Sequence, residues 1–390
     1  MNMKKTADVV IIGGGIQGAS ALCYLCEAGI RNVMLIEMDK LGGASSTTAY
    51  TSGWVMLQEE DEINIRMSQM SFLEFLRFEE KYGIDINFIQ NGSLSIDTTD
   101  HSERFHKRAE IHKTFGIHGE ILSREDIRSV APFLNLSDIE SGLFSKNDGK
   151  VNADSVLQGY IRQAKRLGAE ICEGTKAVNI KVRNGKVAGV ETTSGFIHTP
   201  VVVNAAGIYA KQVARWAGIR LPLTNALLHV VLTEPTPMIQ DNMPLIEVLN
   251  PELIYVEGRT SIGSEGNIAE YSLGNVKTES FDHVAQLELF TEKYADHILY
   301  RIPEIFNLGI TNCYAGIRTL TPDDFPILGH TDEVEGYVSD CGWGGRGISH
   351  APAGGRLIAE CISKTHKLPV SIEPFLLSRF KGHALSHCHT

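Results

Sequence analysis

Residues 8–37 constrain this chain more than any other stretch. Val9, Val10, Ile11 and Ile12 form an apolar run with the character of a buried parallel strand. The run enters Gly13-Gly14-Gly15-Ile16-Gln17-Gly18, a G-x-G-x-x-G turn. An Ala- and Leu-containing helix follows to Gly29, and a second apolar strand, 33–36, ends at Glu37. In a dinucleotide-binding unit Gly13 makes the tight turn, Gly15 lets the backbone approach a pyrophosphate, and Gly18 lets helix and strand pack closely. The helix N-terminus, at Ile16 and Gln17, offers free N–H groups and a positive dipole end to phosphates. Glu37 is placed to accept hydrogen bonds from a ribose. The competing reading is a glycine-rich turn in an unrelated α/β unit.

With 390 residues, the chain has length for about two domains and an ample core. Hydrophobic content of 43% and charge of 21% are those of an ordinary globular protein. The net charge is −11 without a basic cluster, which argues against a nucleic-acid partner or an anionic membrane surface. No apolar run reaches membrane-span length. MNMKK leads almost directly into the first strand, so no cleaved signal peptide is expected. Seven scattered cysteines suggest a reducing cytoplasm. Cys23 and Cys26 form a C-x-x-C inside the first helix, where small core residues are expected rather than a redox or metal pair. The tail residues His383, His387, Cys388 and His389 read as a frayed end rather than a chelator, and no metal site is expected.

Residues 60–82 read as helical, with Ile63, Met67, Met70, Leu73 and Leu76 as a core-facing stripe. Residues 102–115 read as a charged surface helix. Asn152 is a candidate cap for a helix over 153–167, ended by Gly168. Segments 177–182, 186–193 and 196–199, parted by Asn184-Gly185 and Ser194-Gly195, predict a three-stranded meander. A buried strand at 201–204 runs into Ala205-Ala206-Gly207. Strands are expected over about 224–265, a helix over 279–299, and a helix over 350–363 after Gly342-Trp343-Gly344-Gly345-Arg346-Gly347. Glycine turns near 205 and 344 repeat the character of the first. This predicts a discontinuous cofactor domain (1–85, 147–218 and 313–390) interrupted by a substrate domain (86–146 and 219–312).

These blocks resemble the FAD-dependent amino-acid oxidoreductases of the D-amino-acid oxidase superfamily. The nearest branch holds glycine oxidase, the β subunit of heterotetrameric sarcosine oxidase and the β subunit of dye-linked L-proline dehydrogenase. Besides the first turn, the resemblance rests on Leu41-Gly42-Gly43-Ala44-Ser45-Ser46-Thr47-Thr48 with Gly53 and on Val203-Asn204-Ala205-Ala206-Gly207. It continues in Gly316-Ile317-Arg318-Thr319-Leu320-Thr321-Pro322-Asp323 with Pro326-Ile327-Leu328-Gly329, and in 342–347 leading to Ala351-Pro352. It implies an α/β (α+β) fold: a Rossmann-like FAD-binding domain with a β-meander, and a substrate domain on a mixed or antiparallel sheet.

The implied activity is oxidation of the C–N bond of a small amino acid (glycine, sarcosine, proline or a D-amino acid). Hydride passes from Cα–H to the flavin and an imine forms. The rival readings are a glycerol-3-phosphate-type dehydrogenase and a non-catalytic flavin-binding subunit. Partners other than the substrate stay open between a homo-oligomer and a β subunit of a hetero-oligomer. The resemblance assigns FAD contacts to Ser45, Ser46, Thr47, Thr48, Val178, Ala206 and Gly207. It extends them to Gly342, Gly344, Gly345, Arg346, Gly347 and Ile348, where a loop and helix N-terminus suit a reduced flavin's negative charge. Arg318 is the candidate substrate-carboxylate clamp, since a guanidinium binds carboxylate bidentately; an ion pair with Asp323 or Asp324 competes. Tyr255 either covers the substrate or fills the core. His229 is a candidate to face the pocket, and Arg346 either acts on the flavin or an anion or points to solvent. Two departures matter. Ala315, Gly316 and Ile317 stand where monomeric sarcosine oxidases attach FAD to a cysteine, with Cys313 out of register, so FAD is expected to be non-covalent. Trp54, Val55 and Met56 stand where those enzymes place an arginine.

Overall fold

The computed structural model describes residues 5–240, 243–250, 254–260, 267–282, 295–364 and 369–381. Two large sheets carry the site. The first has six strands in the order 327–330, 337–341, 201–204, 9–12, 33–36, 170–172, parallel except for the first pair. Its strands Val9–Ile12 and Val33–Ile36 are buried on both faces, which is why they read as unbroken apolar runs. Helix Ile16–Glu27 connects them and is buried from Ile16 to Cys26. Gly18, Ala19, Ser20 and Ala21 keep it thin enough to lie between the sheet and helix Ala351–Ser363. At Gly355 a Cβ would sit 2.2 Å from the Ser20 hydroxyl.

Helices Glu62–Phe75, Ala153–Arg166 and Ala351–Ser363 share one core cluster with this unit. The antiparallel meander Ala177–Arg183, Lys186–Thr192 and Gly195–His198 joins the second cluster, on the other face. The Asn152 side chain accepts the Ser155 N–H, capping its helix as expected.

The second sheet has eight strands in the order 310–320, 224–236, 267–278, 254–260, 245–248, 93–96, 141–145, 119–123. It is mixed, because 245–248 runs parallel to 93–96 while its other pairs are antiparallel. Strand Ile310–Leu320 belongs to this sheet and runs across residue 313.

The stripe expected over 60–82 is rotated. Met67 is buried and Ile63 and Met70 pack against the same core, but Leu73 and Leu76 are 62% and 50% exposed, and the helix breaks between Phe75 and Phe78. The cause is a polar face turned inward. Ser68 bonds His350 at 2.9 Å, Ser71 accepts the Ala353 N–H, and Glu74 accepts the Tyr24 and Tyr82 hydroxyls and pairs with Arg356. Apolar spacing alone misses a face held by such bonds. The helix over 103–114 also buries more than a surface helix would: Phe105, Arg108 and His112 are inside. Of the helix expected over 279–299, residues 279–282 are not helical, 295–301 are, and those between lie outside the described residues. The tail from 382 onward also lies outside them.

Cys23 and Cys26 are buried, and burial raises both thiols, Cys26 to about 11 and Cys23 further. Such thiols are inert packing groups. Among the described residues no cluster of His, Cys, Asp and Glu is placed to hold a metal, and no helix is long and apolar enough to cross a membrane.

Candidate functional site

One cavity of about 580 Å³ runs from the glycine turn to the eight-stranded sheet. Its first end is built from backbone. Gly13 has φ +112°, and a Cβ there would lie 2.4 Å from the Ala205 oxygen. A Cβ on Gly18 would lie 2.0 Å from the Gly13 oxygen, so this residue closes the turn from behind and does not line the cavity. At Gly15 a Cβ would face Ser46 Oγ at 3.1 Å and Thr48 Oγ1 at 3.3 Å, which marks a narrow cradle. Thr48 accepts the Ile16 N–H at 3.0 Å, Ser46 caps the short helix Thr47–Tyr50, and Thr47 donates to the Ile317 carbonyl at 2.7 Å. The Ser/Thr loop therefore clamps the turn to strand 310–320. Ser45 donates to Asp39.

Glu37 is buried, and its carboxylate accepts the Gly14 N–H at 2.6 Å and the Asp39 N–H at 2.9 Å. Each oxygen keeps a lone pair for a further donor. Ala206 and Gly207 continue this wall. Val178 does not: it is 44% exposed, and the neighbouring Thr175, Lys176 and Ala177 line the cavity instead.

The middle of the cavity is the 342–347 loop with Ile348, just before helix Ala351–Ser363. Gln17 spans to it, donating to the Gly347 carbonyl at 2.8 Å. Trp343 donates its indole N–H to Asp340 at 2.9 Å. Asp340 is 1% exposed, and burial raises its carboxyl to about 7 against that hydrogen bond. Arg346 does not point to solvent. It forms a two-oxygen pair with Glu59, at 2.9 and 3.2 Å. Burial alone would raise Glu59, but Arg346 and His350 outweigh it and hold the carboxyl at about 2.

The far end is made of side chains from the second sheet. Arg318, half-buried, packs its guanidinium on Gly345, where a Cβ would come within 3.3 Å of Cζ. It lies 5.8 Å from the Tyr255 ring centroid and hydrogen-bonds that phenol. Burial and the Glu247 charge push Tyr255 up to about 12, with Arg318 opposing. Among the described residues Arg318 is in no salt bridge, and Asp323 is taken by Arg379 at 2.8 and 3.1 Å. Asp324 is exposed on the rim.

His229 is not brought to the cavity. Leu228 and Val230 line it, so by strand alternation His229 faces the other way, where it is fully buried. Burial lowers its basicity. Cys313 likewise packs against the opposite core while Gly316 and Arg318 face the cavity.

The spacing of residues missed Glu59, Glu247 and Asp340, all of which line the cavity. Glu59 sits in an acidic run that reads as solvated surface. Glu247 is one polar residue in a short apolar strand, and that was the available signal.

Comparison with known proteins agrees with this geometry. The chain is 29% identical over 374 residues to mitochondrial sarcosine dehydrogenase of Mus musculus, covering 92% of this chain and 40% of that one. It thus spans about two fifths of that relative's length. It is 26% identical to sarcosine oxidase subunit beta of Rhodobacter capsulatus, covering 97% and 89%. The L-proline dehydrogenase structure from P. horikoshii superposes with a TM-score of 0.85 at 27% identity, covering 97% and 98%. Residues 8–361 match the family described as DAO, FAD dependent oxidoreductase, and the chain belongs to that family.

Proposed function

We propose that this protein oxidises the C–N bond of a small amino acid, with Arg318 holding the substrate carboxylate. The observation that carries this is a half-buried guanidinium with no carboxylate partner among the described residues, at the end of a cofactor-sized cavity. A bidentate acceptor of a substrate's size satisfies it. Tyr255 orients the guanidinium and walls the substrate space. Glu59 and Arg346 neutralise each other beside it. The relatives named for sarcosine and proline support the same class of donor.

The residues fit FAD. The Gly15 cradle with Thr48 and the helix start suits the pyrophosphate, with Ser45, Ser46, Thr47, Ala206 and Gly207 along the wall. Glu37 suits the ribose. Gln17 Oε1 and Asp340 Oδ2 are buried acceptors without a partner, matching the hydroxyl donors of a ribityl chain. Residues 342–348 suit the flavin ring. FAD, when bound, supplies the two-electron sink for the Cα–H hydride. Cys313 faces away, and burial raises the Cys341 thiol at the cavity wall and leaves it a poor nucleophile, so attachment is non-covalent. Acid should release FAD into the supernatant; flavin retained in the precipitate would refute this.

The division into a cofactor domain (1–85, 147–218, 313–390) and a substrate domain (86–146, 219–312) belongs to this reading. The two-sheet architecture supports it, with strand 310–320 as the bridge. Cytoplasmic residence is supported by six free cysteines among the described residues. Membership of a hetero-oligomer is supported by the bacterial relative's name as a subunit. A glycerol-3-phosphate-type substrate is disfavoured, because Arg346 and Arg108 are already paired with Glu59 and Glu60. Anaerobic addition of a panel of small amino acids should bleach the flavin with at least one of them. Bleaching by a hydroxy-phosphate ester alone, or by nothing, would reject the proposal.

A further inference from the structure

We infer that Glu247 recognises the cationic nitrogen of a zwitterionic substrate, opposite the carboxylate held by Arg318. This rests on the carboxylate-clamp reading and deepens it. Most charges lining the cavity are accounted for. Glu59 pairs with Arg346, Glu60 with Arg104 and Arg108, and Glu37 with two backbone amides. Lys176 and Asp324 are exposed at the rim. Asp340 accepts the Trp343 indole N–H beside the 342–347 loop, the flavin side of the cavity. At the substrate end Arg318 and Glu247 remain, one cation and one anion, and neither is in a salt bridge among the described residues.

The two charges share a neighbour. Glu247 lies directly across the strand pair from Tyr255, whose ring Arg318 covers. The Tyr255 phenol feels both charges, in opposite senses. They are held apart rather than collapsed onto each other, which leaves a place for a molecule carrying both signs. Ser95 donates to Glu247 Oε2 at 2.7 Å, fixing the side chain while Oε1 keeps its acceptor capacity. Leu228, Val230, Leu245 and Leu249 line the same cavity. A half-buried carboxylate among apolar walls is costly unless a cation reaches it. An amino acid supplies that cation as its ammonium or secondary ammonium group. A hydroxy acid or an alcohol does not.

The test uses the FAD-loaded protein with Glu247→Gln, which keeps the side-chain shape and the Ser95 contact. Substrate dissociation constants come from anaerobic flavin reduction at varied concentrations of the best amino acid. Propionate, a carboxylate without nitrogen, is titrated in parallel by the change it causes in the flavin spectrum. Loss of a charge-assisted hydrogen bond should weaken the amino acid about 10- to 100-fold. Propionate should bind as well or better. Equal losses for both ligands, or no loss for the amino acid, would overturn the assignment. Glu247→Asp keeps the charge and should recover part of the affinity; if it is no better than Gln, the charge is not what matters. Propionate binding that survives Arg318→Ala unchanged would bring down the clamp reading itself, a separable result.

Discussion

The two ends of the cavity are built on opposite principles. At the glycine turn the working groups are largely backbone: a Cβ on Gly13 or Gly18 would strike a carbonyl oxygen, and one on Gly15 would crowd the Ser46 and Thr48 hydroxyls. At the Arg318 end the backbone only delivers side chains, from the paired strands 245–248 and 254–260 and from 310–320, which is remote from both in sequence. The glycine turn of the first end is contiguous in sequence and leaves little room for added volume. The second is dispersed and changes its chemistry one residue at a time. A cofactor common to a family and a substrate peculiar to a member call for these two designs.

The largest expected effect lies at the dispersed end. Deleting one partner of a desolvated, charge-assisted pair costs about 2–5 kcal/mol. For Arg318→Ala, kcat/KM should therefore fall roughly 30- to 3,000-fold with FAD content near normal. Arg318→Lys should recover only part, since a point charge lacks the fork. Loss of FAD instead would mean that the two ends are not separable. At the contiguous end the pattern should reverse. Gly18→Ala forces a methyl onto the Gly13 carbonyl, and overpacking of that kind costs about 3 kcal/mol. Thermal stability and FAD retention should fall together, while kcat per bound flavin stays close to wild type. A fully FAD-loaded Gly18→Ala protein of normal Tm would break the comparison.

The junction between the ends gives a pH test. The folded-state acidity of Glu59 lies below the ordinary carboxylate value, at about 2. Its stabilising contribution is thus present above about pH 4.5 and is lost as pH falls through that window towards 2. Glu59→Gln should be less stable than wild type by about 2 kcal/mol at neutral pH, and the gap should close on acidification. Denaturant midpoints at several pH values measure it. A gap independent of pH would assign the loss to packing rather than to the ion pair with Arg346.

How much the sequence disclosed follows the same divide. The turn, the Asn152 cap and the meander are local, and each has a residue signature that the structure matches at its position. The stripe expected over 60–82 holds at Ile63, Met67 and Met70 and fails at Leu73 and Leu76, because Ser68, Ser71 and Glu74 are buried by partners on residues 350–356, remote in the chain. His229 failed for a parity reason: one residue along a strand changes the face, and sequence alone did not settle the register against Arg318. Glu247 shows in the sequence only as one polar residue in an apolar strand; its role comes from Tyr255 and Ser95, each on a different strand.

The smallest expected effect tests whether a side chain at the contiguous end also recognises the ligand. Glu37 accepts the Gly14 and Asp39 amides, so it shapes the turn whether or not a ribose is bound. If shaping were its whole role, Glu37→Gln would weaken every ligand of the turn alike, because the amide oxygen still accepts one of those bonds while the NH2 group faces the other N–H. If the carboxylate also takes ribose hydroxyls, the charge strengthens each bond, and its removal costs about 1–2 kcal/mol. FAD affinity of Glu37→Gln should then drop about 5- to 30-fold, with Glu37→Ala lower still. Riboflavin 5′-phosphate, which lacks the adenosine half, separates the two roles. Its affinity should be unchanged in Glu37→Gln if the ribose is the partner. An equal drop for both flavins would make Glu37 a strut of the glycine turn, and the contiguous end would then recognise its ligand through backbone and small hydroxyls alone.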